Sequence, residues 1–254
     1  MATEPDLYCF EAAREEEKLE QDKVVELRQY TLRGGRRDTL IALFERSFIE
    51  PQNALGAHVI GTFRDLDDPD RFVWIRGFRD LETRAAALGA FYAGPIWQAN
   101  RSAANATMLD SDNVLLLHPS APGVGFSAEP SARTPTGDII GATIHYLGPV
   151  TTAQFAEFFQ QSMLPRLEAS GVQPIASFVT EESANNFPRL PVREHDRAFI
   201  WFARWASVSA EASCAARVAA WTGWRDSAPE AVFPALMRKP EHLRLAPTDR
   251  SALR

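Results

Sequence analysis

Residues 24–118 and 138–246 read as two copies of one unit, and this duplication constrains the fold more than any other feature of the chain. Gly56-Ala57-His58-Val59-Ile60-Gly61-Thr62-Phe63 aligns without a gap on Gly171-Val172-Gln173-Pro174-Ile175-Ala176-Ser177-Phe178. Downstream, Arg71-Phe72-Val73-Trp74-Ile75 echoes Arg197-Ala198-Phe199-Ile200-Trp201-Phe202 with one residue of slack. Upstream, Tyr30-Thr31-Leu32 answers His145-Tyr146-Leu147, and each is followed by a helical stretch ending in proline, Pro51 or Pro165.

Within the first copy, Val24–Thr31 alternates as a strand does. Gly34-Gly35 breaks it, and Leu40, Ile41, Phe44, Phe48 and Ile49 recur at helical spacing until Pro51. Strands are expected at 58–64 and 72–78, joined by the turn Asp67-Asp68-Pro69-Asp70. A helix at 81–91, a shorter one after Gly94-Pro95 and a strand at 113–118 complete the order β-α-β-β-α-β, the ferredoxin-like arrangement. The second copy repeats it: strand 139–147, helix 152–169, strands 175–180 and 198–205, helices 209–220 and 223–226, strand 243–246. This leaves an acidic N-terminal arm (1–23), a Pro/Ser/Ala/Gly-rich linker (119–137) and a tail (247–254). The 181–196 connection is much longer than its counterpart at 65–70, and reads as a lid or as surface decoration.

A four-stranded antiparallel sheet with helices on one face leaves its other face bare. Two such sheets in one chain can cover each other or close into a barrel that removes exposed edges. The fold expected is therefore α+β, with tandem ferredoxin-like repeats and antiparallel sheets forming a dimeric-α/β-barrel type. Strand one carries Glu26, Arg28 and Tyr30 opposite Val25 and Leu27. Strand three carries Phe72, Trp74 and Arg76 opposite Val73 and Ile75. The aliphatic sides are expected to meet the helices and the polar-aromatic sides to line a barrel cavity, the composition of a small-molecule site.

A net charge of −6 and the lack of any basic run argue against nucleic-acid binding. Cys9 and Cys214 have no metal-site spacing, no apolar stretch is long enough for a membrane span, and the N-terminus carries no signal pattern. A cytoplasmic protein is expected, with no metal and no tightly bound cofactor.

Glu26-Leu27-Arg28-Gln29-Tyr30, the 56–63 segment, Phe72-Val73-Trp74 and Gly94-Pro95-Ile96-Trp97 together resemble the NIPSNAP family of the dimeric α+β-barrel superfamily. The likeness is stronger over 24–118 than over 138–246. It implies tandem ferredoxin-like repeats and association into a homo-oligomer, but no agreed catalytic residues. The wider superfamily includes cofactor-independent monooxygenases, small-metabolite isomerases and decarboxylases, and haem enzymes. One fold hosts many chemistries, so function has to be argued from the site.

Three residues are candidates for proton transfer. His145 replaces Tyr30 in the repeat and titrates near neutrality, while Tyr30 and His58 could donate hydrogen bonds. Arg28 and Arg76 could hold a carboxylate, with Trp74 and Trp201 as apolar walls. Each has a plainer reading: a buried, satisfied histidine, an exposed strand-end histidine, arginines paired with Glu26, and tryptophans that only pack. The expected function is binding of a small, partly apolar metabolite, with cofactor-independent acid–base chemistry of the oxygenase or isomerase kind. The rival is a non-catalytic scaffold with a filled barrel. A cavity reaching His145 would separate the first from the second.

Overall fold

A computed structural model describes residues 22–126, 138–221 and 228–254. Most of the arm, most of the linker and the helix expected at 223–226 lie outside the described residues. The first unit runs β1 (Val24–Leu32), α1 (Arg37–Ser47), α2 (Ile49–Ala54), β2 (His58–Asp65), β3 (Arg71–Phe78), α3 (Leu81–Ala93), α4 (Pro95–Asn105) and β4 (Met108–Pro119). The second runs β5 (Ile139–Tyr146), α5 (Thr152–Phe158), a π-helical turn (Phe159–Met163), α6 (Leu164–Ala169), β6 (Gln173–Thr180), β7 (Ala198–Trp205) and α7 (Val208–Ala219). A 3₁₀ turn (Glu230–Val232), α8 (Phe233–Leu236) and β8 (Glu241–Pro247) complete it.

Local chemistry sets the equivalent helix starts. Asp80 caps α3 by accepting from the Thr83 amide, and Ser207 caps α7 by accepting from the Ala210 amide. Thr151 and Gln154 form a reciprocal capping box on α5. Several boundaries shift by about two residues, a π-helical turn interrupts the helix expected at 152–169, and two further differences have a clear local cause. Pro51 does not end a helix; it sits in the first turn of α2, where a missing amide hydrogen costs no intrahelical bond. Strand β4 begins at Met108 rather than Asn113, because the polar run Asp110-Ser111-Asp112-Asn113 interrupts its apolar signal.

The eight strands close into one antiparallel barrel in the order β1-β3-β2-β8-β5-β7-β6-β4 and back to β1. Each unit contributes four consecutive strands. The seams are short: Phe63, Arg64 and Asp65 pair with Pro247, Ala246 and Leu245, and Leu117, His118 and Pro119 pair with Thr180, Val179 and Phe178. The barrel thus closes within a single chain. The C-terminal tail continues along β2 beyond the seam, with the Thr248 amide on the Thr62 carbonyl and the Leu253 amide on that of Ile60.

The expected orientation of the faces is reversed. Val25, Leu27, Val73, Ile75, Ile144 and Ile200 point into the barrel with other aliphatic side chains and Phe63, Phe178 and Phe202. Tyr30, Phe72 and Trp74 instead pack under the first unit's helices, and Phe199 and Trp201 under the second's. An eight-stranded barrel has an interior just wide enough for its own side chains to fill. The inward positions are accordingly mostly aliphatic or phenylalanine, with Gln29 a buried polar exception on the face of Val25 and Leu27. The bulkier aromatic and charged groups lie in the outer layer, where helices can be spaced to fit them.

Candidate functional site

The outer layer of the first unit holds a fully buried ionic cluster. Glu26 and Arg28 are two residues apart on β1 and share a face, and Glu26 stands directly opposite Arg76 of β3. Arg84 enters from the first turns of α3, on the stripe it shares with Ala87, Leu88 and Phe91. Glu26, Arg76 and Arg84 have no exposed surface, and Arg28 almost none.

Glu26 joins all three guanidiniums. Its Oε2 accepts from Arg28 Nη1 at 2.7 Å and Arg76 Nε at 2.8 Å, and its Oε1 from Arg84 Nε at 2.7 Å. Burial alone would raise the Glu26 pKa. The charges of Arg76, Arg28 and Arg84 outweigh it and hold the carboxyl well below its usual range, so it is ionised. Burial, with Arg76 and Arg28 behind it, pulls the Arg84 pKa down against the attraction of Glu26.

Neutral groups complete the shell. Arg76 Nη1 donates to Gln52 Oε1 at 2.9 Å, and Arg28 Nε donates to Tyr30 Oη at 3.0 Å. Burial raises the Tyr30 pKa despite Arg28, so the phenol keeps its proton. Trp74 lies beneath two cations, its ring centre 5.5 Å from the guanidinium carbon of Arg28 and 5.0 Å from that of Arg76. Four of the expected site residues, Arg28, Tyr30, Trp74 and Arg76, are therefore brought together.

The long 181–196 connection of the second unit covers this cluster. Arg84 Nη1 donates to Asn185 Oδ1 at 3.1 Å and Asn186 Oδ1 at 2.6 Å, and Asn186 Nδ2 donates to the Leu81 carbonyl at 2.5 Å. Phe187 stacks on Tyr92 at 6.2 Å, and Leu190 and Val192 pack against the first unit's core. Among the described residues, three buried donors in the cluster have no hydrogen-bond partner: Trp74 Nε1, Arg84 Nη2 and Arg76 Nη2. The last lies 2.7 Å from Glu26 Oε2 but outside hydrogen-bond geometry.

The remaining expected residues lie elsewhere. His145 and Trp201 occupy the second unit's outer layer, where Trp201 Nε1 donates to His145 Nε2 at 3.3 Å and Phe155 lies 5.1 Å from the imidazole. Burial, followed by His242, lowers the His145 pKa to about 3. The ring is thus neutral near pH 7, with its proton on Nδ1. His58 is exposed and hydrogen-bonded to Asp22 at 2.9 Å, which raises its pKa.

Sequence reasoning missed Arg84, Gln52, Asn185 and Asn186. Arg84 carried a readable signal, a charge on the stripe of an alanine-rich helix that Leu88 and Phe91 show to be the buried one. Nothing local marked the two asparagines, whose partner lies about a hundred residues away in sequence.

Register shows how far the two units have diverged at this site. Tyr30, Trp74 and Phe72 correspond to His145, Trp201 and Phe199. Glu26, Arg28 and Arg76 correspond to Gly141, Thr143 and Ala203. Counted from the helix caps, Arg84 corresponds to Glu211, and counted back from the Gly56/Gly171 turns, Gln52 corresponds to Leu167. A Cβ on Gly141 would lie 2.3 Å from the Trp205 ring, which fills the space. The second unit keeps the backbone and none of the charge arrangement.

Residues 25–121 match the NIPSNAP family. No curated protein matches the chain. Among solved structures, a candidate monooxygenase from Lactobacillus acidophilus NCFM is 13% identical, with 89% of this chain and 94% of that one covered at a TM-score of 0.53. An anthrone oxidase-like protein is also 13% identical, over 90% of this chain and 92% of that one, at a TM-score of 0.51. An uncharacterized NIPSNAP-like domain protein from Burkholderia xenovorans is 27% identical over 45% of this chain and 92% of its own, at a TM-score of 0.37. At 13% identity the first two likenesses concern the fold alone. The first unit therefore matches the NIPSNAP family, within a chain whose overall fold is similar to that of the first two proteins.

Proposed function

We propose that this protein binds a small, partly apolar organic anion in the outer layer of its first unit, between the sheet and helices α1–α3. One observation carries the reading: among the described residues, three buried guanidiniums surround a single carboxylate, and donors among them remain without acceptors. Buried charges and donors are costly unless matched, so such a group favours an acceptor that is not part of the chain. Trp74 and Tyr30 supply the apolar side of the contact, and Arg28 and Arg76 the cationic side.

If the protein also acts on its ligand, Tyr30 is the group best suited to move a proton. Its oxygen accepts from Arg28, which leaves its own O–H free to donate. His145 is a weaker choice, since a group with a pKa near 3 is a poor base at neutral pH. The filled barrel interior suits the rival scaffold reading equally well. It also moves the binding proposal from the barrel to the outer layer.

Native mass spectrometry of protein purified from its own host tests this. A bound small anion is expected in the wild-type protein and lost in the folded double variant Arg28→Met, Arg76→Met. A protein that carries nothing, or a ligand that survives the double substitution, would refute the proposal.

A further inference from the structure

The ligand's charge can be read from the same cluster, on the basis of the binding reading above. Among the described residues, the carboxylate that touches Arg28, Arg76 and Arg84 is that of Glu26. Three positive charges and one negative leave two positive charges unmatched. The other polar groups that contact these arginines are Gln52, Tyr30, Asn185 and Asn186, all uncharged. Amide oxygens accept hydrogen bonds without cancelling charge, whereas an aspartate at position 185 or 186 would cancel it at the same reach. The surplus is therefore built in twice, once by the first unit and again by the loop of the second.

The fold does not require this surplus. The second unit forms an equivalent four-stranded sheet covered by its own helices, with Gly141, Thr143, Ala203 and Glu211 at the matching positions.

We infer that the first unit takes a dianionic headgroup, one per chain, held by Arg76 and by Arg84, which the second unit's Asn185 and Asn186 fix in place. Phosphate monoesters and compact dicarboxylates share this chemistry. The unpartnered Arg84 Nη2 and Trp74 Nε1 are donors of the kind an oxyanion accepts from. Arg84 is thus a binding residue, and the 181–196 loop makes the site a joint product of both units.

Calorimetric titration at pH 8 and constant ionic strength tests this with matched probes: inorganic phosphate against acetate, and phenyl phosphate or phthalate against benzoate. Each dianion is expected to bind at least tenfold more tightly than its monoanionic counterpart, with one site per chain. Phenyl phosphate should weaken as pH falls through its second ionisation near ~6 while benzoate does not. Comparing phenyl phosphate with phthalate separates the two ligand classes.

In Arg84→Met the surplus drops to one charge and the dianion preference should vanish. In Arg84→Lys the preference should persist at lower affinity. Equal binding of monoanions and dianions overturns the inference and leaves the binding reading standing. Failure of every anion overturns both. Two sites per chain, or an undiminished preference in Arg84→Met, overturns the assignment to this cluster.

Discussion

Replacing Glu26 with glutamine tests whether the cluster is as desolvated as its geometry indicates. The carboxylate makes three charge-assisted contacts of 2.7 to 2.8 Å. At an effective dielectric near 20, a unit-charge pair about 4 Å apart contributes about 4 kcal/mol, so three total about 12 kcal/mol gross. Desolvation of the ions offsets most of that, and truncating one partner of a buried pair typically costs about 3–5 kcal/mol. Glutamine keeps one acceptor but turns an NH₂ donor toward guanidiniums that are donors themselves, so the upper part of that range is expected. Set against a folding free energy of roughly 5–15 kcal/mol, the loss is large. Urea denaturation should show the midpoint falling by roughly 1–2 M. Adding Arg84→Met should recover part of the loss by lowering the unmatched charge. A change in Glu26→Gln below about 1 kcal/mol would instead mean that water or salt already screens the arginines and that the cluster is not desolvated. Acid titration supplies a second check. The folded pKa of Glu26 is depressed, so its stabilisation is complete above the unfolded value of about 4.3 and is lost as pH falls toward the folded one. Below about pH 4 the wild-type protein should therefore lose stability more steeply than the glutamine variant.

Two further substitutions probe the second unit. His145 has a folded pKa of about 3, so as pH falls from about 6.5 the unfolded imidazole takes up a proton that the folded one refuses. Stability should drop over that window by up to ~1.4 kcal/mol per pH unit, and His145→Gln should remove that slope in pH-dependent urea melts. Gly141→Ala places a methyl group against the Trp205 ring, and calorimetry should register a loss of about 1–3 kcal/mol from overpacking.

The duplication made the architecture legible. Gly56 and Gly171, which both adopt positive φ, and the strands that follow them mark the same turn twice, and the βαββαβ order follows from pattern alone. The face of each strand was not legible, and the reason is physical. Alternation distinguishes the sides of a strand only when one of them meets water, and nearly every residue of β1, β3, β5 and β7 is buried. Polar residues on a strand then suggest a cavity, although Glu26 and Arg28 satisfy each other under helices. Arg28, Tyr30, Trp74 and Arg76 lie together because they share β1 and β3, whose pairing the repeat implies. His145 was drawn into the same group by its correspondence to Tyr30. Correspondence between repeats conveys backbone position, and Gly141 and Ala203, standing where Glu26 and Arg76 stand in the first unit, show that the chemistry did not follow it. The asparagines of the 181–196 loop depended on a long-range contact that no local pattern encodes.

The most direct measurement is anomalous diffraction from crystals of the full chain soaked in selenate, a tetrahedral dianion with a strong selenium signal. One well-occupied selenium peak per chain is expected, within hydrogen-bond reach of the guanidiniums of Arg76 and Arg84 and absent from the matching position beside Ala203. Peaks confined to surface arginines, or an empty first-unit cluster at saturating selenate, would contradict the dianion inference.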